Sequence, residues 1–170
     1  MRYNKIRKMD IANGPGVRVS IFLQGCAFRC SECFNPETHD FQGGHEFTAA
    51  TLDQLLQLCA ADYVQGLSIL GGEPLHPDNI AGATQIAQAF KQKFPQKSLW
   101  VWTGYLFESV PDKKIFEYVD VLVDGLFDKA LANPMLQFRG SSNQRLIDIP
   151  KTLQAGQVVL WQANLSKEEK

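Results

Sequence analysis

The sequence predicts an α/β fold around a mostly parallel sheet. Short apolar runs alternate with helical stripes along the chain, and four of those runs pass directly into glycine-rich or polar loops. With 170 residues and 45% hydrophobic composition, the chain can bury one good core and has little room for two. A complete eight-stranded parallel barrel needs about 250 residues, so a partial (β/α) barrel, open along one side, is the expected architecture. One domain is expected over residues 1–165, with residues 166–170 as a charged, frayed tail.

Residues 17–23, VRVSIFL, form the first expected strand. After a cysteine-bearing loop, Thr48 is placed to cap a helix running to about Ala60, because Leu52, Leu55, Leu56 and Cys59 recur on one helical face. Residues 67–70, LSIL, make a short buried strand. Pro77 and Asp78 open a second helix whose apolar stripe is Ile80, Ala83, Ala87, Phe90 and Phe94, and Pro95 ends it. Residues 99–102 are the next strand, 112–117 a short helix, 119–123 a further strand and 158–161 a last one.

GCAFRC follows the first strand, GGEP the second, TGY the third and DG the fourth. In parallel barrels and sheets the loops at the C-terminal ends of the strands share one rim and build the active site. The candidate chemistry is therefore expected on that rim, with the open side of the barrel free to admit a macromolecule.

The formal net charge is −1 and the pI near 6.3, so no global basic field favours nucleic acid or an anionic membrane. The N-terminus has no apolar run of signal-peptide length and no later stretch approaches a membrane span, which predicts a cytoplasmic protein. Reducing cytosol also suits clustered thiolates.

Cys26, Cys30 and Cys33 lie in GCAFRCSECFN, three thiols in one short loop. Soft thiolates select zinc, copper(I) or iron–sulfur clusters, and four irons held by three cysteines leave one iron open to chemistry. A closed zinc site needs a fourth ligand, and His39 and His45 do not supply it in the usual register. Cys59 sits on a helical apolar stripe and reads as core.

Gly71, Gly72, Glu73 and Pro74 follow a buried strand, where two glycines let a ligand approach backbone and Glu73 offers a carboxylate to an ammonium group; a tight turn is the plainer reading. Thr103, Tyr105 and Asp124 stand at strand exits as further ligand contacts or as caps and turn formers. RGSSNQR, residues 139–145, reads as a polar surface loop or a site of partner or phosphate contact. Trp100 and Trp102 are expected half in the core and half on the rim, and His76 at a helix entry.

The stretch GPGVRVSIFLQGCAFRCSECFN places Gly14, Gly16, Arg18, Phe22, Gly25 and the cysteines in register with Asn35. It resembles the signature of radical S-adenosylmethionine enzymes that activate glycyl-radical enzymes. GGEPLHP, WVWTGY, VLVDG and RGSSNQ are similar, in the same order, to segments of anaerobic ribonucleoside-triphosphate reductase-activating proteins, and the resemblance spans residues 10–144.

The resemblance implies a barrel of the radical S-adenosylmethionine type and a 4Fe-4S cluster on Cys26, Cys30 and Cys33, whose open iron binds the amino and carboxylate groups of S-adenosylmethionine. By the same likeness Gly71, Gly72, Glu73 and Pro74 hold the methionine end, and Glu32, Cys33 and Phe34 line the nucleotide side. The subfamily often has Gly where this chain has Glu32. The implied reaction takes an electron from a donor such as flavodoxin or ferredoxin, cleaves S-adenosylmethionine to methionine and a 5′-deoxyadenosyl radical, and sets a glycyl radical on an anaerobic ribonucleotide reductase. The rival readings are an activase for another glycyl-radical enzyme, a small-molecule radical S-adenosylmethionine enzyme, a zinc-binding interaction module and an iron–sulfur electron carrier.

Overall fold

Among the described residues there are seven strands: β1 (Arg2–Asp10), β2 (Val17–Leu23), β3 (His45–Glu46), β4 (Val64–Gly71), β5 (Ser98–Trp102), β6 (Val121–Asp124) and β7 (Arg145–Asp148). In the computed structural model, which describes residues 1–163, they form one sheet in the order β3-β1-β2-β4-β5-β6-β7. The central pairings from β2 through β4 and β5 to β6 are parallel, and those of β1 with β2, β1 with β3 and β6 with β7 are antiparallel. The sheet is thus parallel in its middle and antiparallel at both edges.

Strand alternation gives the sheet two unlike faces. Val19, Ile21 and Leu23 of β2, Leu67 and Ile69 of β4, and Leu99 and Val101 of β5 share one core with the helices α1 (Ala49–Cys59) and α2 (Ile80–Lys93). Intervening residues on the central strands include Arg18, Phe22, Ser68, Trp100, Val121 and Val123. Trp100, Val121 and Val123 form a separate cluster with Trp102, Phe138, Leu146 and Trp161. α1 begins with a capping box in which the Thr48 hydroxyl accepts the Thr51 N–H and the Thr51 hydroxyl accepts the Thr48 N–H. Cys59 is fully buried beneath that helix, as its stripe predicts.

Several expected boundaries move. β1 was not expected, because RYNKIRKMD is too polar to read as a strand; it survives as an antiparallel strand whose Lys5 and Arg7 lie over the Phe22 ring. α2 starts at Ile80 after the N-cap Asn79, so Pro77 and Asp78 belong to the preceding turn. The expected helix over residues 112–117 is a 3-10 turn, Lys114–Glu117. The expected strand over residues 158–161 reduces to one bridge, Ile147 to Leu160, while β7 and the short helix α3 (Ile149–Ala155) were not expected. The expected charged tail, residues 166–170, lies outside the described residues.

Candidate functional site

The exits of β2, β4, β5 and β6 share one edge because those strands run parallel, and a cavity of about 510 Å³ opens among them. That volume lies in the range of small-molecule sites. Cys26, Cys30 and Cys33 all line it, together with Gly71, Gly72, Glu73, Thr103 and Gly104. The rim expected from sequence is therefore a single site.

The cysteine loop takes its shape from two backbone reversals. Arg29 at φ 48° and Glu32 at φ 55° are left-handed, and each directly precedes a cysteine. A side chain in that region costs about 1–2 kcal/mol, which explains why glycine suits the position of Glu32. The Glu32 carboxylate pairs with Lys129 and does not line the cavity. Phe34 does line it, 74% exposed, with its ring 5.1 Å from that of Phe127.

Buried polar groups hold the loop in place. Gln24 donates to the carbonyls of Glu37 and Asp40, and Asn79 donates to those of Gln24 and Glu73. The Cys26 N–H reaches the His39 carbonyl at 3.2 Å. Burial pushes the Cys26 and Cys30 thiols up, with the Phe28 and Arg29 backbone N–H groups pulling Cys26 back. Deprotonation is thus left to a bound metal, which binds thiolate and releases the proton.

Gly71 and Gly72 serve packing more directly than ligand approach. A Cβ on Gly72 would stand 2.5 Å from the Gly25 carbonyl oxygen, and one on Gly71 2.7 Å from the Leu23 nitrogen. The two strand exits touch backbone to backbone, so these glycines set how close GGEP lies to the cysteines. Pro74 is buried behind this wall and does not line the cavity.

Glu73 is fully buried. Its carboxylate accepts hydrogen bonds from the Leu75 N–H at 2.8 Å, the Thr103 hydroxyl at 2.7 Å and the Gly104 N–H at 2.7 Å. Burial pushes it up to about 7, the three donors opposing. It ties the β4 exit to the β5 exit, a role the sequence did not reveal. Tyr105 packs edge-on to Phe28 at 4.9 Å without lining the cavity.

Asp124 faces away from the cavity: it accepts from the Phe107 N–H and pairs with Arg145. RGSSNQR acquires a structural purpose, because Gln144 donates to the Gly125 carbonyl and Asn143 to that of Leu126, bracing the loop after β6. His76 accepts the Asp78 N–H at the approach to α2, as expected, and Trp102 reaches the Phe138 carbonyl from the cavity wall while Trp100 is core.

The far wall was not foreseen. Arg7, Ala12 and Asn13 line it, on a segment anchored by Arg18. Fully buried and, among the described residues, without a carboxylate partner, Arg18 donates to the Ser68 and Ser98 hydroxyls and to the Leu67 and Ser98 carbonyls, while the Ser68 hydroxyl donates to the Asn13 carbonyl. Gly14, Pro15 and Gly16 carried the only local signal of this turn.

Among the described residues, no group of three or more His, Cys, Asp or Glu side chains is gathered closely enough to hold one metal ion. Three thiols lining one cavity suit a multi-iron cluster, whose irons take thiolates at separate corners, better than a single zinc, which needs four ligands at one point.

Residues 12–147 match the family described as a 4Fe-4S single cluster domain. The chain is 40% identical over 146 residues to the anaerobic ribonucleoside-triphosphate reductase-activating protein of Enterobacteria phage T4, covering 86% of this chain and 93% of that one. The chain belongs to the anaerobic ribonucleoside-triphosphate reductase-activating protein family. Members named alike in Vibrio cholerae and Escherichia coli K12 are 37% and 38% identical over 148 residues, 85% of this chain and 96% of theirs. The match to the 4Fe-4S single cluster domain, residues 12–147, takes in the cysteine loop and the strand exits that line the cavity. Among the described residues, no helix is long and apolar enough to cross a membrane.

Proposed function

We propose that the chain activates an anaerobic ribonucleoside-triphosphate reductase by radical S-adenosylmethionine chemistry, setting a glycyl radical on the reductase. The observation that carries this is the shared cavity, in which three thiols and Gly71, Gly72 and Glu73 face one space at the parallel strand exits. Cys26, Cys30 and Cys33 would hold a 4Fe-4S cluster with one iron left open. Bound there and reduced by a donor such as flavodoxin or ferredoxin, such a cluster would supply the one electron needed to cleave S-adenosylmethionine to methionine and the 5′-deoxyadenosyl radical required for removing the glycine hydrogen.

The chain's residues bind, orient and exclude. Gly71, Gly72, Glu73 and Pro74 shape the methionine end, with Glu73 holding the β5 exit against it. Phe34 and Cys33 border the nucleotide side, where Glu32 acts through its backbone because its carboxylate is engaged by Lys129. Thr103 and Gly104 close the wall between. Hydrogen transfer needs reacting atoms within about 3–3.5 Å, so a glycine-bearing segment of the reductase must enter the cavity. We read the sheet as a partial barrel of the radical S-adenosylmethionine type, open for that entry, and the cytoplasm as the compartment that keeps the thiols reduced.

Anaerobic reconstitution with iron and sulfide, followed by an assay for 5′-deoxyadenosine with reductant and S-adenosylmethionine, tests the reading. Wild type should form the product and Cys30→Ala should lose both the product and the iron-dependent visible absorption. A Cys30→Ala variant with both intact refutes it.

A further inference from the structure

We infer that Lys129 and Phe127, on the segment between β6 and β7, are positioning residues for the metal centre: they clasp the residues on either side of Cys33 and so hold the arm that carries Cys30 and Cys33 in place for metal. The inference rests on the reading of the three cysteines as metal ligands and names what preorganises them.

Residues 27–34 form an arm with little hold of its own. Among the described residues, its one internal backbone hydrogen bond runs from the Cys33 N–H to the Cys30 carbonyl at 3.2 Å, and no backbone–backbone bond ties it to the rest of the chain. The left-handed Arg29 and Glu32 add strain. Side chains attach the arm instead. Phe28 packs on Tyr105 at its root, and beyond Cys30 the attachments pass to the β6–β7 segment. The Glu32 carboxylate pairs with Lys129, and the Phe34 ring lies 5.1 Å from that of Phe127. Both rings rest on Gly140, where a Cβ would stand 2.9 Å from each. Glu32 and Phe34 are the two neighbours of Cys33, so that corner is gripped from both sides. Burial and the neighbouring Cys33 push the Cys30 thiol up, and the Phe127 backbone N–H pulls it back.

The segment is a firm support. Its turn Lys129–Leu131 is capped by Asp128, whose carboxylate accepts the Ala130 N–H. The Asp128 N–H donates to the Ser141 hydroxyl at 3.1 Å, the Ser142 N–H to the Leu131 carbonyl at 2.9 Å, and the Trp102 indole to the Phe138 carbonyl at 2.9 Å. An exposed ion pair adds little to stability, so the clasp shows in ligand placement: ligands ordered in advance hold metal more tightly because binding has less order to impose.

The test is the rate of iron release to a chelator from the anaerobically reconstituted protein. Lys129→Glu and Phe127→Ala should each release iron about threefold faster or more, the scale of an exposed pair or one aromatic contact. Lys129→Arg should behave as wild type, and Glu32→Lys combined with Lys129→Glu should release more slowly than Lys129→Glu alone. Lys151→Glu, which breaks an exposed pair with Asp148 at α3, should match wild type. Protection of Cys59 from iodoacetamide shows that each variant is folded. Unchanged release in Lys129→Glu and Phe127→Ala overturns the inference, as does equal acceleration in Lys151→Glu or a charge swap no slower than Lys129→Glu. If wild type takes up no iron, the cluster reading fails and the metal-free protein decides the clasp: Cys30 and Cys33 should alkylate about threefold faster in Lys129→Glu than in wild type with Cys59 still protected, and equal rates overturn it.

Discussion

Replacing Gly72 with alanine isolates the contact that brings GGEP to the cysteines. The new Cβ would stand 2.5 Å from the Gly25 carbonyl oxygen, 2.9 Å from its carbonyl carbon and 3.0 Å from the Thr38 oxygen, all backbone atoms. Gly25 would have to retreat by about 1 Å to reach an ordinary carbon contact. It is held there by the Glu73 N–H donating to its carbonyl at 2.8 Å and by its own N–H donating to Thr38 at 2.8 Å. Overpacking of this kind costs about 1–3 kcal/mol; at about 2 kcal/mol, a chain of this size loses about 4–8 °C in Tm. Because Gly25 precedes Cys26, iron retained after anaerobic reconstitution should fall as well. Gly156→Ala is the control: its φ of +66° carries a backbone cost of about 1–2 kcal/mol, yet among the described residues no heavy atom lies within 4 Å, so iron content should not change. Thermal melts and iron per chain decide the matter. A Gly72→Ala protein with wild-type Tm and full iron would show that the two exits are not in the contact described.

Glu32→Gly should be more stable than Glu32→Ala by about 1 kcal/mol, since both lose the Lys129 pair but only glycine is at ease at φ 55°; urea midpoints that rank alanine equal or higher contradict the strained turn. Glu73 keeps its proton in the folded state up to about 7 against an ordinary 4.5. Between those values the native state binds more protons than the unfolded one. Stability of the metal-free protein should therefore fall as pH rises from about 4.5 to 7, by about 3 kcal/mol from this group. Glu73→Gln should flatten that slope, and parallel slopes for both proteins would refute the assignment. Iodoacetamide should label three thiols of the metal-free native protein and spare Cys59, which burial pushes up to about 12 until the chain unfolds; labelling of Cys59 at the rate of the others would remove it from the core.

The central strands were legible because parallel strands covered on both faces are mostly apolar along their length, and VRVSIFL, LSIL and VLV are so apart from Arg18, Ser20 and Ser68. The cysteine loop and GGEP were legible because their residue types are rare outside chemistry or turns. β1 escaped notice for the opposite reason: its partner on one side is the two-residue β3, and its Lys5 and Arg7 cover Phe22 with aliphatic stems that composition counts as polar. β7 and α3 were missed because RLIDIPKTLQA is too short for either periodicity to declare itself.

By itself the sequence determined an α/β chain with three thiols in one loop and four loops at strand exits, since local periodicity and residue chemistry suffice for both. Only the tertiary structure decided that those loops form one cavity, that Glu73 braces the wall, that Asp124 faces Arg145 instead, and that Arg18 anchors a far wall from the opening turn. These are pairings between residues 21 to 80 positions apart, or choices of face within a strand end. Side-chain type at a position does not reveal its partner until packing has excluded the alternatives.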